Sequence, residues 1–298
     1  MEHIPVLLNE VVTSFKGIKG KWIVDSTLGR GGHFFELLKT HNLLVGIDAD
    51  IESINFVKKE LEKKNFEHKD SLYIKNNKKV LLIKGNFADL DALLLSYGIK
   101  GKDVGGILAD LGISMHQIKS SGRGFSFLRP EEPLDMRIDT QAHKYTASDL
   151  LSFLSKKELV SLFKNLADVE KASILAERIV NYRKKKRIRT VGDFLKALKM
   201  PQKKPLGLKR HPATKIFMAL RIAVNKEHLN LESFLYKAGS FVKEGTILDV
   251  ITFHSLEEET VKRIVEKLGF RFKTYAPSPE ELLKNKSARS AKLFVIKK

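Results

Sequence analysis

Short apolar runs and helix-period segments alternate along the first third of the chain. Trp22 to Ser26 and Leu43 to Asp48 are apolar runs closed by polar residues. Each precedes a segment, from about Gly32 and about Ile51, whose apolar positions recur at helical spacing. This predicts a strand–helix–strand–helix unit. Val80 to Lys84, a helix around Ala88 to Tyr97, and Val104 to Asp110 continue it. Runs without polar alternation suit parallel strands covered by helices on both faces. The polar stretch between Glu62 and Lys79 reads as an extended surface loop.

After Leu111 the alternation stops, and Thr146 to Lys199 carries only helical spacing, as in LLSFL, ELVSLF and ASILAERIVNYR. Pro201, Pro205 and Pro212 punctuate the exit. A helix from about Ala213, a strand from Ile247 to Phe253, a helix near Glu257 to Lys267, and the runs Phe270 to Tyr275 and Lys292 to Ile296 resume the α/β pattern. The fold class expected is α/β, a doubly wound sheet with an inserted all-helical domain. Residues 1–117 and 212–298 are expected to form the sheet domain and 118–211 the insertion.

With 298 residues and 43% hydrophobic content, the chain supports one large core or two smaller ones. No apolar run approaches the roughly 18 residues of a membrane span, and the N-terminus has no basic-then-apolar leader, which predicts a cytoplasmic protein without a membrane partner. The absence of cysteine excludes disulfides and thiolate metal sites, and no histidine spacing suggests a metal. Lys plus Arg number 54 against 35 Asp plus Glu, a net charge of +19. That balance favours a polyanionic partner, nucleic acid first; a solvated lysine-rich surface is the other reading.

Asp25 to His33 reads DSTLGRGGH, a strand end running into glycines, where bare backbone lets a ligand approach. Asp48 ends the next strand about 20 residues beyond the first glycine, where an acid accepts hydrogen bonds from ribose hydroxyls. A nicotinamide dehydrogenase would want GxGxxG with a diphosphate at the helix start, whereas GxGG with a preceding aspartate leans toward a nucleoside cofactor without phosphate. Phe87, in GNFADL, stands where a ring can cover an adenine, or is an ordinary core aromatic. Asp110, in ADLGIS, ends a fourth strand at the same edge.

Seven strings, HIPVLLNEVV, DSTLGRGGHF, GRGFSF, PLDMRID, HPATKIFMALRIAVNKE, FHSLEEETVK and NKSARSAKL, occur in an order that resembles the ribosomal RNA small subunit methyltransferase H family across nearly the whole chain. The resemblance implies a class I methyltransferase fold and S-adenosyl-L-methionine as cofactor. It also implies methylation of the N4 amine of a cytidine in the decoding region of 16S rRNA, with the small ribosomal subunit as partner. Its cofactor contacts fall on Gly31, Gly32, His33, Asp48, Phe87, Asp110 and Gln117. His33 and Gln117 come from the resemblance alone. Met115 and His116, beside Gln117, depart from the family's small or proline residues, as Ser287 departs from an arginine.

Methyl transfer to an amine needs an in-line approach, and a hydrogen-bond acceptor near the amine assists. Asp110 and the backbone of Ser114 are candidates for that role, with Asp110 equally readable as a cofactor contact. His254, just after a strand in FHSLEE, is a third candidate, for shaping the base pocket. Asp135, Arg137 and Asp139 form either an ion-pair network or a substrate clamp. A base must be unstacked to react, which makes the helical insertion the expected RNA clamp. Its basic positions are Arg183, Lys184, Lys185, Lys186 and Arg187, with Lys209 and Arg210 as a further edge. A solvated helix end is the competing reading of that run. Oligomeric state stays open, a homodimer included. A non-catalytic RNA-binding factor is the remaining alternative.

Overall fold

A computed structural model describes residues 5–203, 205–207 and 211–298. The chain divides into two compact units, Met1–Gly112 with His228–Lys298, and Ile113–Glu227.

The first unit holds one nine-stranded sheet. Its strands are β1 (Trp22–Asp25), β2 (Leu43–Asp48), β3 (Glu67–Lys69), β4 (Leu72–Lys75), β5 (Lys78–Lys84), β6 (Val104–Asp110), β7 (Ile247–Thr252), β8 (Arg271–Tyr275) and β9 (Lys292–Lys297). Their spatial order is β3-β4-β5-β2-β1-β6-β7-β9-β8. Strands β5, β2, β1, β6 and β7 run parallel, and β3, β4, β8 and β9 extend the sheet antiparallel. The chain builds outward from β1 in one direction and from β6 in the other, so the topological switch lies between them. Open α/β sheets bind ligands at that point, outside the strand carboxyl ends.

Adjacent strand residues face opposite cores. Val24, Val45, Leu81, Ile107 and Val250 join α4 (Leu90–Ser96), α11 (Glu227–Phe241) and α12 (Ser255–Lys267) in one apolar cluster. Ile23, Leu44, Val80, Leu108 and Ile251 join α1 (Leu8–Ser14), α2 (Gly32–Thr40) and α3 (Ile51–Lys63) in the other. Because strand side chains alternate with period two, an unbroken apolar run supplies both faces at once. This is the mixed α/β, Rossmann-like architecture that the alternation predicts.

The expected loop between Glu62 and Lys79 is instead an antiparallel meander. Strand β3 pairs with β4 and β4 with β5. Asp70 and Asn76 take the left-handed conformation at the two turns, and Phe66 and Tyr73 are buried against α3. Lysines on the solvent side of these edge strands mask the two buried rings in a composition-based reading.

The second unit is all helical: α5 (Met115–Ser120), α6 (Ala147–Phe153), α7 (Lys156–Ala167), α8 (Ala172–Arg183), α9 (Val191–Leu198) and α10 (Thr214–Asn225). Ser114, Thr146 and Ser155 start α5, α6 and α7 with reciprocal capping boxes. The sequence boundaries 117/118 and 211/212 therefore move to 112/113 and 227/228. Ile216, Phe217, Leu220 and Val224 place α10 in the helical core with Leu159 and Phe163 of α7. Periodicity revealed that apolar stripe but not which core it would meet.

Candidate active site

The glycine turn owes its shape to packing as much as to any ligand. Gly31 has φ of +75°, and a Cβ there would stand 2.8 Å from the Phe35 ring. A Cβ at Gly32 would meet Pro5 at 2.7 Å. At these two positions the protein itself occupies the space that the sequence reading left to a ligand. Gly29 differs: only the Thr27 carbonyl oxygen lies within contact range, at 3.9 Å, so room remains beside its backbone.

Asp48 holds this turn from the next strand. Its Oδ2 accepts the Gly29 amide at 2.7 Å and its Oδ1 accepts the Asp50 amide at 2.7 Å. The Ser53 side chain hydrogen-bonds it as well, so the carboxylate braces the turn and keeps room for one further hydrogen bond. Burial pushes its pKa up to about 6, against the lowering effect of those two amides. Asp25, at the end of β1, is buried and accepts the Thr27 amide at 3.2 Å. Burial, with the nearby Asp48 charge, raises it to about 7.

Asp110 ends β6 across the switch point from Asp25. The Thr27 hydroxyl accepts its amide at 2.7 Å, tying β6 to the glycine turn. Oδ2 lies 3.7 Å from His33 Nδ1, and Oδ1 is buried without a hydrogen-bond partner. Burial first, then the charges of Asp25 and Glu257, push its pKa up to about 8. His33, on the first turn of α2, is buried and donates from Nε2 to the Val6 carbonyl at 2.8 Å.

Glu257 is a residue the sequence reading passed over. It is buried, and its Oε2 accepts the Phe253 amide at 2.7 Å, fixing the turn from β7 into α12. His254 caps α12, with Nδ1 accepting the Glu257 amide at 3.4 Å. Its Nε2 stands 3.0 Å from Glu257 Oε1 without hydrogen-bonding geometry. FHSLEE is thus a helix-capping turn, and Glu257 rather than His254 brings charge to Asp110. The E-E pair in the first turn of α12 was the available signal. Phe87 opens a 3-10 turn and packs edge-to-face on Phe234, ring centroids 5.2 Å apart, leaving it half-buried.

Other candidates belong to the helical unit. Ser114 and Gln117 cap α5 reciprocally: Gln117 Oε1 accepts the Ser114 amide at 2.9 Å, and Ser114 Oγ accepts the Gln117 amide at 3.2 Å. The Ser114 carbonyl, the atom suggested as a proton acceptor, takes the Ile118 amide at 3.2 Å. Arg137 pairs bidentately with Asp135, at 2.8 Å through both Nε and Nη2, while Asp139 accepts the amides of Gln141 and Ala142. PLDMRID is therefore a local ion-pair network. Asn225, another residue the sequence reading missed, clamps it by accepting the Ile138 amide and donating to the Met136 carbonyl.

The basic run is partly engaged inside the unit. Arg183 donates to the Leu151 and Leu154 carbonyls, Lys186 pairs with Asp193, and Arg187 pairs with Asp149. Among the described residues, Lys184 and Lys185 stand exposed with no ion pair. Lys209 and Arg210 lie outside the described residues. No group of histidine and carboxylate side chains among the described residues is arranged to hold a metal.

Carboxylates at the ends of β1, β2 and β6, met by Glu257 after β7, gather at the switch-point edge of the sheet, Asp25 and Glu257 buried and Asp48 and Asp110 half-buried. The chain matches the MraW methylase family over residues 1–298. It belongs to that family. The methylase is an enzyme, an S-adenosylmethionine-dependent methyltransferase. It is 40% identical to the ribosomal RNA small subunit methyltransferase H of Persephonella marina over 308 aligned positions, covering 100% of this chain and 99% of the relative. The proteins of that name from Sulfurihydrogenibium sp. and Dictyoglomus thermophilum are 39% and 38% identical, covering 99% and 98% of the methylase and 98% and 95% of the relatives. Among solved structures, an rRNA methylase from Streptococcus thermophilus superposes with a TM-score of 0.45 at 8% identity, covering 100% of this chain and 99% of that one.

Proposed function

We propose that this methyltransferase transfers a methyl group from S-adenosylmethionine to the exocyclic N4 of a cytidine in the decoding region of 16S rRNA. The observation that carries the reading is the unpartnered, buried Oδ1 of Asp110 within a cluster of carboxylates at the strand ends. Such a cluster is unfavourable when empty and is relieved by positive charge. S-adenosylmethionine, when bound, supplies a methyl group on a positively charged sulfur. A dinucleotide diphosphate would meet Asp25, Asp48, Asp110 and Glu257 with like charge, which argues against the dehydrogenase alternative.

Each residue then has a task. Asp48 is positioned for the ribose, Gly29 leaves backbone for the cofactor, and Phe87 offers an aromatic edge beside them. Gly31, Gly32 and His33 shape and brace the turn. Asp110 accepts a hydrogen bond from the N4 amine, holding its lone pair toward the methyl carbon. As the new C–N bond forms and the C–S bond breaks, the amine proton departs toward that carboxylate. Lys184 and Lys185 supply contacts to RNA phosphate. Gln117 and His254 keep their places as helix-capping residues. A ribosomal substrate implies the cytoplasm, and no described helix is long and apolar enough to cross a membrane.

The relatives' names support rRNA of the small subunit as substrate, and the motif resemblance supports N4 of cytidine. Incubation with methyl-labelled S-adenosylmethionine and either small subunits or naked 16S rRNA, followed by nucleoside mass spectrometry, tests both. N4-methylcytidine is the expected product. Label in another nucleoside would refute the specificity, and tight cofactor binding without any transfer would favour a non-catalytic RNA-binding role.

A further inference from the structure

On the helical unit, two large aromatic side chains stand in solvent beside the basic run. Tyr145 is 49% exposed and Phe153 is 54% exposed. Their rings pair edge-to-face, with centroids 5.3 Å apart. The Lys144 ammonium lies 5.5 Å from the Tyr145 ring centroid. Phe153 also lines a surface pocket with Asp149, Ser152, Arg183, Lys184 and Arg187.

Neither ring is needed by the core. Helix α6 buries Ala147, Ser148 and Leu151, and Phe153 leaves on the opposite side at its last residue. The surroundings hold Phe153 in place. Arg183, at the end of α8, donates to the carbonyls of Leu151 and Leu154 on either side of it. That double hydrogen bond braces the backbone on both sides of the ring, and Lys184 lines the same pocket. Arg187 is held over the same pocket by Asp149, at 2.9 Å. Three cations and one carboxylate line the pocket, so it favours an anion, and Phe153 forms part of its wall. This pairing of a π-surface with clustered Lys and Arg suits unpaired nucleotides, whose bases stack while their phosphates take the cations. A protein ligand would use the aromatic rings, but nothing about it would call for the excess positive charge.

We propose that Tyr145 and Phe153 form a stacking platform for unpaired bases of a single-stranded RNA segment, with its phosphates on Lys184, Arg187 and Lys144. The proposal rests on the reading that the substrate is RNA, and deepens it by assigning a structural class of RNA to a particular surface. Lys184 and Lys185 alone would bind any phosphate chain. The rings add a preference for bases free of a duplex.

The test uses the full chain and fluorescent oligo(U) of roughly a dozen nucleotides, with a duplex of the same length as control; site sizes for stacked single strands fall near that range. Fluorescence anisotropy measures affinity across a salt series. Phe153→Ala and Tyr145→Ala are each expected to weaken single-strand binding by about tenfold and leave duplex binding and the salt slope unchanged, because stacking releases few counterions. Phe153→Trp should restore affinity. Lys184→Ala should lower the salt slope for both RNAs. Both rings are exposed, and unchanged thermal melting verifies that the variants fold.

Equal single-strand affinity in wild type and in the Tyr145→Ala, Phe153→Ala double variant would overturn the platform while leaving the RNA reading intact. So would full affinity in Phe153→Leu, which would reduce the contact to apolar surface. Should the wild-type chain bind neither RNA, and small subunits accept no methyl, the RNA reading itself would fall. Undiminished RNA binding by the double variant, joined to loss of binding to an RNase-treated ribosomal protein fraction, would assign the surface to protein instead.

Discussion

Nδ1 of His33 stands 3.7 Å from Oδ2 of Asp110, while Nε2 of the same ring donates to the Val6 carbonyl at 2.8 Å. A carbonyl only accepts, so Nε2 carries the proton of that bond and the ring is held beside Asp110.

Cofactor affinity should follow pH. Asp48, Asp25 and Asp110 are raised to about 6, 7 and 8, in each case by burial first. A cationic ligand draws the ionised forms, so binding releases protons. Affinity should rise from about pH 6 to about pH 8 and level off above. Calorimetry of S-adenosylmethionine binding in buffers of different ionisation enthalpy reads the proton release directly. An affinity that falls over this window would place the sulfur's charge away from these carboxylates.

Glu257 has two separable effects. Its charge helps raise Asp110, so Glu257→Gln should move the acidic limb of kcat/KM to lower pH while preserving an acceptor for the Phe253 amide. Glu257→Ala should also destabilise the fold by about 1–3 kcal/mol, the cost of an orphaned amide donor. Comparison of the pH profiles and melting curves of the two variants distinguishes charge from scaffold. An unmoved limb in Glu257→Gln would remove Glu257 from the site's electrostatics.

Asp249 sits inside β7, fully buried, with Oδ1 unpartnered and Oδ2 hydrogen-bonded to Ser14. The Ser14 hydroxyl also donates to the Val11 carbonyl at 2.8 Å. One hydroxyl proton cannot serve both acceptors, so a neutral Asp249 supplying its own proton satisfies the pair. Burial raises its pKa to about 8, above the ordinary carboxylate value near 3.8. The folded state thus keeps a proton that the unfolded chain gives up. Its contribution to stability is complete below about pH 4 and lost as pH rises toward 8. Asp249→Asn should gain on the order of 1–3 kcal/mol at pH 8 and little at pH 4. Urea unfolding at the two pH values measures this, and an equal gain at both would attribute it to packing.

Within the basic run, the cations divide by their partners. Arg183→Ala strips two helix-end carbonyls of a donor and should cost about 1–3 kcal/mol in stability. Lys184→Ala with Lys185→Ala should leave melting unchanged and reduce the log–log salt slope for RNA by about one per lysine. Unaltered RNA affinity in that double variant would return both lysines to solvent.

Much of the sheet was legible in the sequence because a buried parallel strand must be apolar on both faces. Val104 to Asp110 and Leu43 to Asp48 coincide with β6 and β2 for that reason. Asp48 and Asp110 were legible as candidates because an acid closing an apolar strand is conspicuous. The β3–β4 meander was not, since its two buried rings, Phe66 and Tyr73, stand among polar and charged residues. Glu257 looked like one acid among several at a helix start, and only the turn after β7 carries it toward Asp110.

The order of apolar runs, their period and their closing residues therefore determined by themselves the α/β class, the parallel core and the strand ends that carry the candidate residues. Tertiary structure alone decided which core claims α10, which cations are already paired, and why Gly31 and Gly32 admit no side chain. The reason is physical: periodicity is local and follows from backbone geometry. Pairing, desolvation and close approach depend on groups distant in the chain, whose meeting no window of sequence contains.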